Sequence, residues 1–331
     1  LNWDLIARFG GKTHPNMTTT DSAIRSYIPW RLLLPALLAL PCAAPAAPVF
    51  VHVGDPGNPP CPINGRGAVP YEFEMGAFEV SNQQYAEFLN AVAAEADPFA
   101  LYNPNMDMGL FGGIRRVEQE GLYRYAALEG FERLPVVYVS WYDAARFCNW
   151  LHFGSPATGR SELGTTEGTA DEGAYDTRSP AFARNPGARY ALPTHDEWVK
   201  AGFYERSKKN NGGYWLYPVR SDAKPASTSP PGSASSVNYF DGHWAAPMPY
   251  LTPVGAYVNA SSPYGTFDQG GNVMEWVESP AGRDRRGIVG GDATKFNYAL
   301  RIDYNDAELP DQELYIVGFR VVRLDIVNAP R

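Results

Sequence analysis

The chain has 331 residues, with 28 Lys and Arg against 36 Asp and Glu and a formal net charge of −8. That balance argues against a nucleic-acid binder, which carries a basic excess on its contact face. Apolar residues at 44% supply a core and exclude wholesale disorder, whereas three Cys exclude a disulfide-dense scaffold and an all-cysteine zinc site.

Leu1–Asn16 reads as an upstream segment ahead of the first Met, Met17. Residues 17–47 read as a signal peptide. Arg25 and Arg31 form its positive region, Leu32–Leu40 its apolar region, and Ala44-Pro45-Ala46 a small-x-small cleavage site. The apolar run is too short to span a bilayer. Export to a periplasmic or extracellular location is expected, with a soluble, acidic, monomeric product of net charge −10 and no membrane span.

Residues 48–331 read as a single domain. Gly (32) and Pro (29) are about 18% of the chain against a usual ~12%, which suits many turns and little regular structure. The first helix is expected to open at Ser81, with Gln84 completing a capping box and Tyr85, Phe88, Leu89 and Val92 on one face. The second opens at Ser140 with Asp143 in the box position, and Ala144, Phe147, Cys148 and Leu151 face inward. Ser155–Asn185 lacks periodicity and reads as a mobile insertion. The third helix opens at Thr194 with Glu197 in the box, His195 exposed and Trp198 facing inward. Extended runs are expected at Phe73–Val80, Val136–Val139, Arg189–Leu192, Gly287–Gly291 and Tyr315–Val322.

Four segments taken in order carry a resemblance. They are Phe78–Tyr85 (FEVSNQQY), Pro135–Ala144 followed by Phe147–Trp150, Tyr190–Trp198 (YALPTHDEW) and Tyr264–Trp276 (YGTFDQGGNVMEW). With Gly290-Gly291 and Gly318-Phe319-Arg320 they resemble the formylglycine-generating enzyme, or sulfatase-modifying factor, family. The resemblance implies an α+β, elaborated C-type-lectin-like fold: low regular structure, a twisted antiparallel sheet and flanking helices.

The family oxidises a sulfatase cysteine to formylglycine with molecular oxygen and copper held by two cysteines. Here those positions fall on Lys295 and on Ala299 or Leu300, and the serine after Gly-Gly is Asp292. An ammonium and an aliphatic side chain cannot replace the soft thiolates that Cu(I) prefers, so copper is not expected. The sulfur-histidine branch needs paired histidines, and His14, His52, His152, His195 and His243 are isolated.

The resemblance also implies calcium, held by Asp268, the carbonyls of Gly271 and Val273, and Glu275. Two carboxylates with turn carbonyls suit a hard cation. The alternative reading pairs Glu275 with an Arg. A second family calcium site maps to Asn238 and Tyr239, without the carboxylate it needs near residues 246–248. A Cys61–Cys148 bridge remains open beside two independent thiols. Two functions follow. One is a catalytically silent module that binds a peptide, glycan or protein through the former substrate groove. The other is an enzyme of the family, with altered chemistry or with the formylglycine-generating oxidation retained.

Overall fold

A computed structural model describes residues 47–159, 173–176 and 183–324. The upstream segment and leader expected over 1–47 lie outside the described residues, apart from Ala47. The described residues fall within one compact unit.

In chain order the elements are β1 (Phe50–Val53), β2 (Phe73–Gly76), α1 (Asn82–Val92), α2 (Asn105–Met108), β3 (Ile114–Gln119), β4 (Leu122–Ala127), α3 (Trp141–His152), β5 (Tyr190–Ala191), α4 (His195–Phe203), β6 (Met274–Pro280), β7 (Arg286–Val289), β8 (Asp306–Glu308), β9 (Val317–Gly318) and β10 (Val322–Arg323). One four-stranded sheet runs β1-β2-β10-β5, a second runs β8-β7-β6-β9, and β3-β4 form a hairpin. Pairing is antiparallel except between β6 and β9. This is the α+β, low-regularity architecture expected.

The three long helices begin where the caps predict. Ser81, Ser140 and Thr194 each close a full capping box with Gln84, Asp143 and Glu197. Each box satisfies two orphan helix donors within four residues of chain, which makes these starts a local property. Tyr85 and Phe88 of α1 meet Phe147 of α3, with Phe88–Phe147 centroids 5.4 Å apart and Phe147–Phe319 5.3 Å. Two buried tryptophans tie α3 to β6 reciprocally: Trp141 Nε1 donates to Val277 O at 3.0 Å, and Trp276 Nε1 donates to Val139 O at 3.0 Å. Among the described residues no helix is long and apolar enough to cross a membrane.

Two expectations need correction. Val136–Val139 is not a strand, because Tyr138 takes φ 60° and interrupts the extended run; His195, below, is the other. Most of the insertion expected to be mobile over 155–185 lies outside the described residues, and those described around Tyr175 and Arg184 are tied to the core. Tyr175 is fully buried, donates to Glu278 Oε2 at 3.0 Å and accepts from the Leu192 amide at 3.0 Å, while Asn149 bridges its backbone N–H and C=O. Arg184 follows, paired with Glu197 at 2.7 Å and Glu278 at 2.5 Å. His195 is 8% exposed, not a surface residue. Its amide donates to Ser279 Oγ at 2.9 Å, which seats the first turn of α4 on the end of β6. Burial, then the charge of Arg66, lowers its imidazole to about 4, so the ring is neutral.

Candidate functional site

The segment leaving β7 builds the site. Gly290 and Gly291 take φ 95° and 67°, and a Cβ on Gly291 would lie 2.8 Å from Ala299 O, so only glycine lets this turn close. Asp292 is buried. Its Oδ1 accepts from the amide and hydroxyl of Thr294 at 2.7 and 2.6 Å, while its Oδ2 has no partner. Desolvation raises this carboxyl against those hydrogen bonds.

Lys295 comes next, half-exposed. Its Nζ donates to Tyr304 Oη at 3.2 Å and lies 3.7 Å from Asp306. Burial pulls its pKa down, but Tyr304, Asp292 and Asp306 outweigh that and the net shift is upward. The ammonium therefore stays charged and cannot serve as a free amine nucleophile at neutral pH. Ala299 and Leu300, in a single 3-10 turn over Asn297–Leu300, are buried in the core. The positions that the resemblance assigns to the family cysteines thus hold a paired ammonium and buried aliphatic carbon. These residues do not fit copper.

Around this segment lies an array of rings that the motif search missed. Phe240 donates its amide to Lys295 O at 3.0 Å, which joins the two loops. Its ring is 4.8 Å from Trp244 and 5.4 Å from Phe296. Trp244 stacks on Tyr250 at 4.1 Å and 22°. Tyr298 and Tyr304 meet at 5.7 Å. The sequence signal was present: bulky aromatics in Gly/Pro-rich loops with no helical or strand period to bury them.

Of the predicted calcium residues, Glu275 meets an arginine and Asp268 lies within the field of the same guanidinium. Glu275 accepts from Arg320 through both oxygens at 2.6 Å, and from Trp198 Nε1 at 2.8 Å. Both partners of the ion pair are at most 1% exposed. Asp268 Oδ2 accepts from the Gly255 amide at 2.6 Å. Gly271 takes φ 83°, and a Cβ there would lie 2.1 Å from Asn238 O; Val273 is buried beside it. Among the described residues, no three His, Cys, Asp or Glu gather in a metal-holding arrangement. The charge of Glu275 is already met by a guanidinium, so the four residues as arranged do not fit calcium. Pairing with an Arg, the alternative left open by the sequence, is what the fold contains. Thermal melts with calcium and with chelator are expected to superimpose; a calcium-dependent rise would show that the ion displaces Arg320.

Glu79, which the motif reading did not single out, completes this cluster. Burial, then Asp268, raises its carboxyl well above the usual range despite Arg320. Asp268 is raised to about 6, chiefly by burial. Protonation thereby offsets the excess of buried carboxylate over the single guanidinium. The second mapped site is also spoken for. Asn238 donates to Tyr250 O at 2.8 Å and Asn272 Oδ1 at 3.1 Å, and Tyr239 donates to Pro225 O at 2.7 Å.

Cys61 and Cys148 are free thiols, both buried, in different hydrophobic clusters. Cys148 packs on the inward face of α3, where burial pushes its thiol pKa far up. Cys61 packs with Tyr214 and Trp198 rather than standing exposed. Of the two possibilities left open by the sequence, the fold contains two separate thiols. Thiol counting on the denatured, unreduced Cys42→Ser chain should give two; a count of zero would restore the bridge.

A family profile, the Sulfatase-modifying factor enzyme 1-like domain, matches residues 66–324. The chain belongs to this family. Among solved structures, the crystal structure of CarF is similar at 21% identity with a TM-score of 0.53, covering 84% of this chain and 98% of that one. Treponema denticola variable protein 1 is similar at 15% identity and TM-score 0.44, over 83% of this chain and 94% of that one. PvdO from Pseudomonas aeruginosa is similar at 16% identity and TM-score 0.42, over 83% and 91%. At these identities the likeness to CarF speaks to the fold alone. No curated protein matches.

Proposed function

We propose that this sulfatase-modifying-factor chain is an exported binding module that holds a ligand at the former substrate surface without copper-dependent oxidase chemistry. The carrying observation is the pairing of Lys295 with Tyr304 and Asp306 where the family places one copper-ligand cysteine, with Ala299 and Leu300 buried where it places the other. The soft-ligand preference of Cu(I) supports this reading. Export rests on the charged, apolar and small-residue pattern of residues 17–47.

Competitive Cu(I) titration and oxygen uptake with a cysteine peptide of the kind presented by sulfatases test the reading. No turnover and no tight copper binding are expected. Tight copper binding with conversion of the cysteine would replace the binding module with an oxidase.

A further inference from the structure

The rings beside Lys295 are chemically specific enough to name a ligand class, and the inference rests on the binding-module reading above. Trp244 is 41% exposed and Phe296 49%. With Phe240 and Tyr250 they make one contiguous patch: Tyr250 stacks on one face of Trp244 at 4.1 Å, and Phe240 meets Trp244 at 4.8 Å and 57° and Phe296 at 5.4 Å and 74°, so a ligand meets the outer faces of Trp244 and Phe296. Apolar rings gathered in contact at the surface, rather than scattered singly, fit an interaction surface. The Trp244 indole N–H makes no hydrogen bond within the described residues, and neither does the hydroxyl of the half-exposed Tyr298.

The charges at this surface are already neutralised. Lys224 pairs with Asp241 at 2.7 Å and Lys295 with Asp306 at 3.7 Å. Arg301 clamps Asp303 through two 2.9 Å hydrogen bonds. These three pairs add no net charge to the surface, which suits a neutral ligand. Two of the five guanidinium N–H donors of Arg301 go to Asp303 and the Tyr217 hydroxyl lies against the same guanidinium, which leaves donors on Arg301 beside unused lone pairs on Asp303. Donor and acceptor therefore stand side by side. A sugar hydroxyl both donates and accepts and matches such an edge. A polyproline segment offers carbonyl acceptors and few donors, and leaves the Asp303 half unmatched.

We propose that the Tyr250–Trp244–Phe240–Phe296 run and the Arg301–Asp303 edge form a subsite for an uncharged glycan chain, whose apolar C–H faces lie on the rings and whose hydroxyls meet the polar edge.

Calorimetry on the full-length chain with neutral oligosaccharides (gluco-, xylo- and manno-hexaoses) and a neutral-glycan array tests this. Binding is expected to be insensitive to salt. Trp244→Ala and Phe296→Ala should each weaken it at least tenfold. Trp244→Phe should retain part of it, and Val117→Ala on the β3–β4 hairpin should leave it unchanged. Near-ultraviolet dichroism checks that each variant is folded. Absence of binding across the array, binding unaffected by Trp244→Ala, or preference for a proline-rich peptide would each overturn the glycan subsite. A chain that turns over no cysteine peptide yet binds the proline-rich peptide would leave the binding-module reading standing, so the two failures are distinguishable.

Discussion

Arg320→Met is expected to lower the stability of the fold by about 3–5 kcal/mol, the usual cost of removing one partner of a buried ion pair. The guanidinium does more than face Glu275. It also donates to Gly76 O at 3.0 Å and Phe267 O at 2.9 Å, so it fastens β2, β6 and the 267 segment together. Methionine matches much of the stem volume but none of these donors. Glu275 would then keep a buried charge with only the Trp198 indole against it. Urea unfolding at neutral pH should show a lower midpoint with an unchanged slope. The double variant Arg320→Met with Glu275→Gln should recover part of the loss, because the stranded charge is gone. A loss below about 1 kcal/mol in the single variant would show that the site holds its charge balance by other means.

Asp143→Asn is expected to change how stability depends on pH. Asp143 is buried at the start of α3, where its carboxylate accepts from the amide and hydroxyl of Ser140 at 2.8 and 2.7 Å. Desolvation outweighs these bonds and raises its pKa to about 7. In the unfolded chain the group ionises near 4. The folded state therefore holds a proton that the unfolded state has released. Its contribution is complete below pH ~4 and is lost as pH rises through about 7. The full span is on the order of 4 kcal/mol. An amide cannot ionise and still accepts from the Ser140 amide. Measured from pH 4 to pH 8, the stability difference should move in favour of the variant by on the order of 2–4 kcal/mol. Buried acids shared by both proteins, such as Asp97 and Glu313, shift the same way and largely cancel. A pH-independent difference would mean that Asp143 is ionised in the fold.

How much of this molecule is legible in its sequence depends on how far apart the interacting residues lie. The three capped helices are written in four-residue windows, Ser81–Gln84, Ser140–Asp143 and Thr194–Glu197, and all three form. The order of the family motifs predicts the fold without any contact being known. The expectation that copper is not held likewise rests on residue identity: Lys295, Ala299 and Leu300 carry no thiol in any conformation.

The tertiary structure decided what joins distant segments. Glu275 and Arg320 are 45 positions apart, and nothing local says whether that carboxylate meets a guanidinium or a cation. Cys61 and Cys148 could be counted but not placed, and the fold buries them in separate clusters. Tyr175 and Arg184 sit in a stretch without periodicity, yet Glu278 and Glu197, more than 90 and 13 positions away, anchor them. His195 reads as a polar first-turn residue, and only the docking of α4 on Ser279 buries it. The aromatic run is the same kind of fact. Trp244 and Phe296 belong to loops some fifty residues apart, and the hydrogen bond from Phe240 to Lys295 brings their rings to one surface. Local spacing sets caps and periodicity because backbone hydrogen bonds reach only a few residues. Charge partners, thiol placement and surface arrays depend on which segments the core brings side by side.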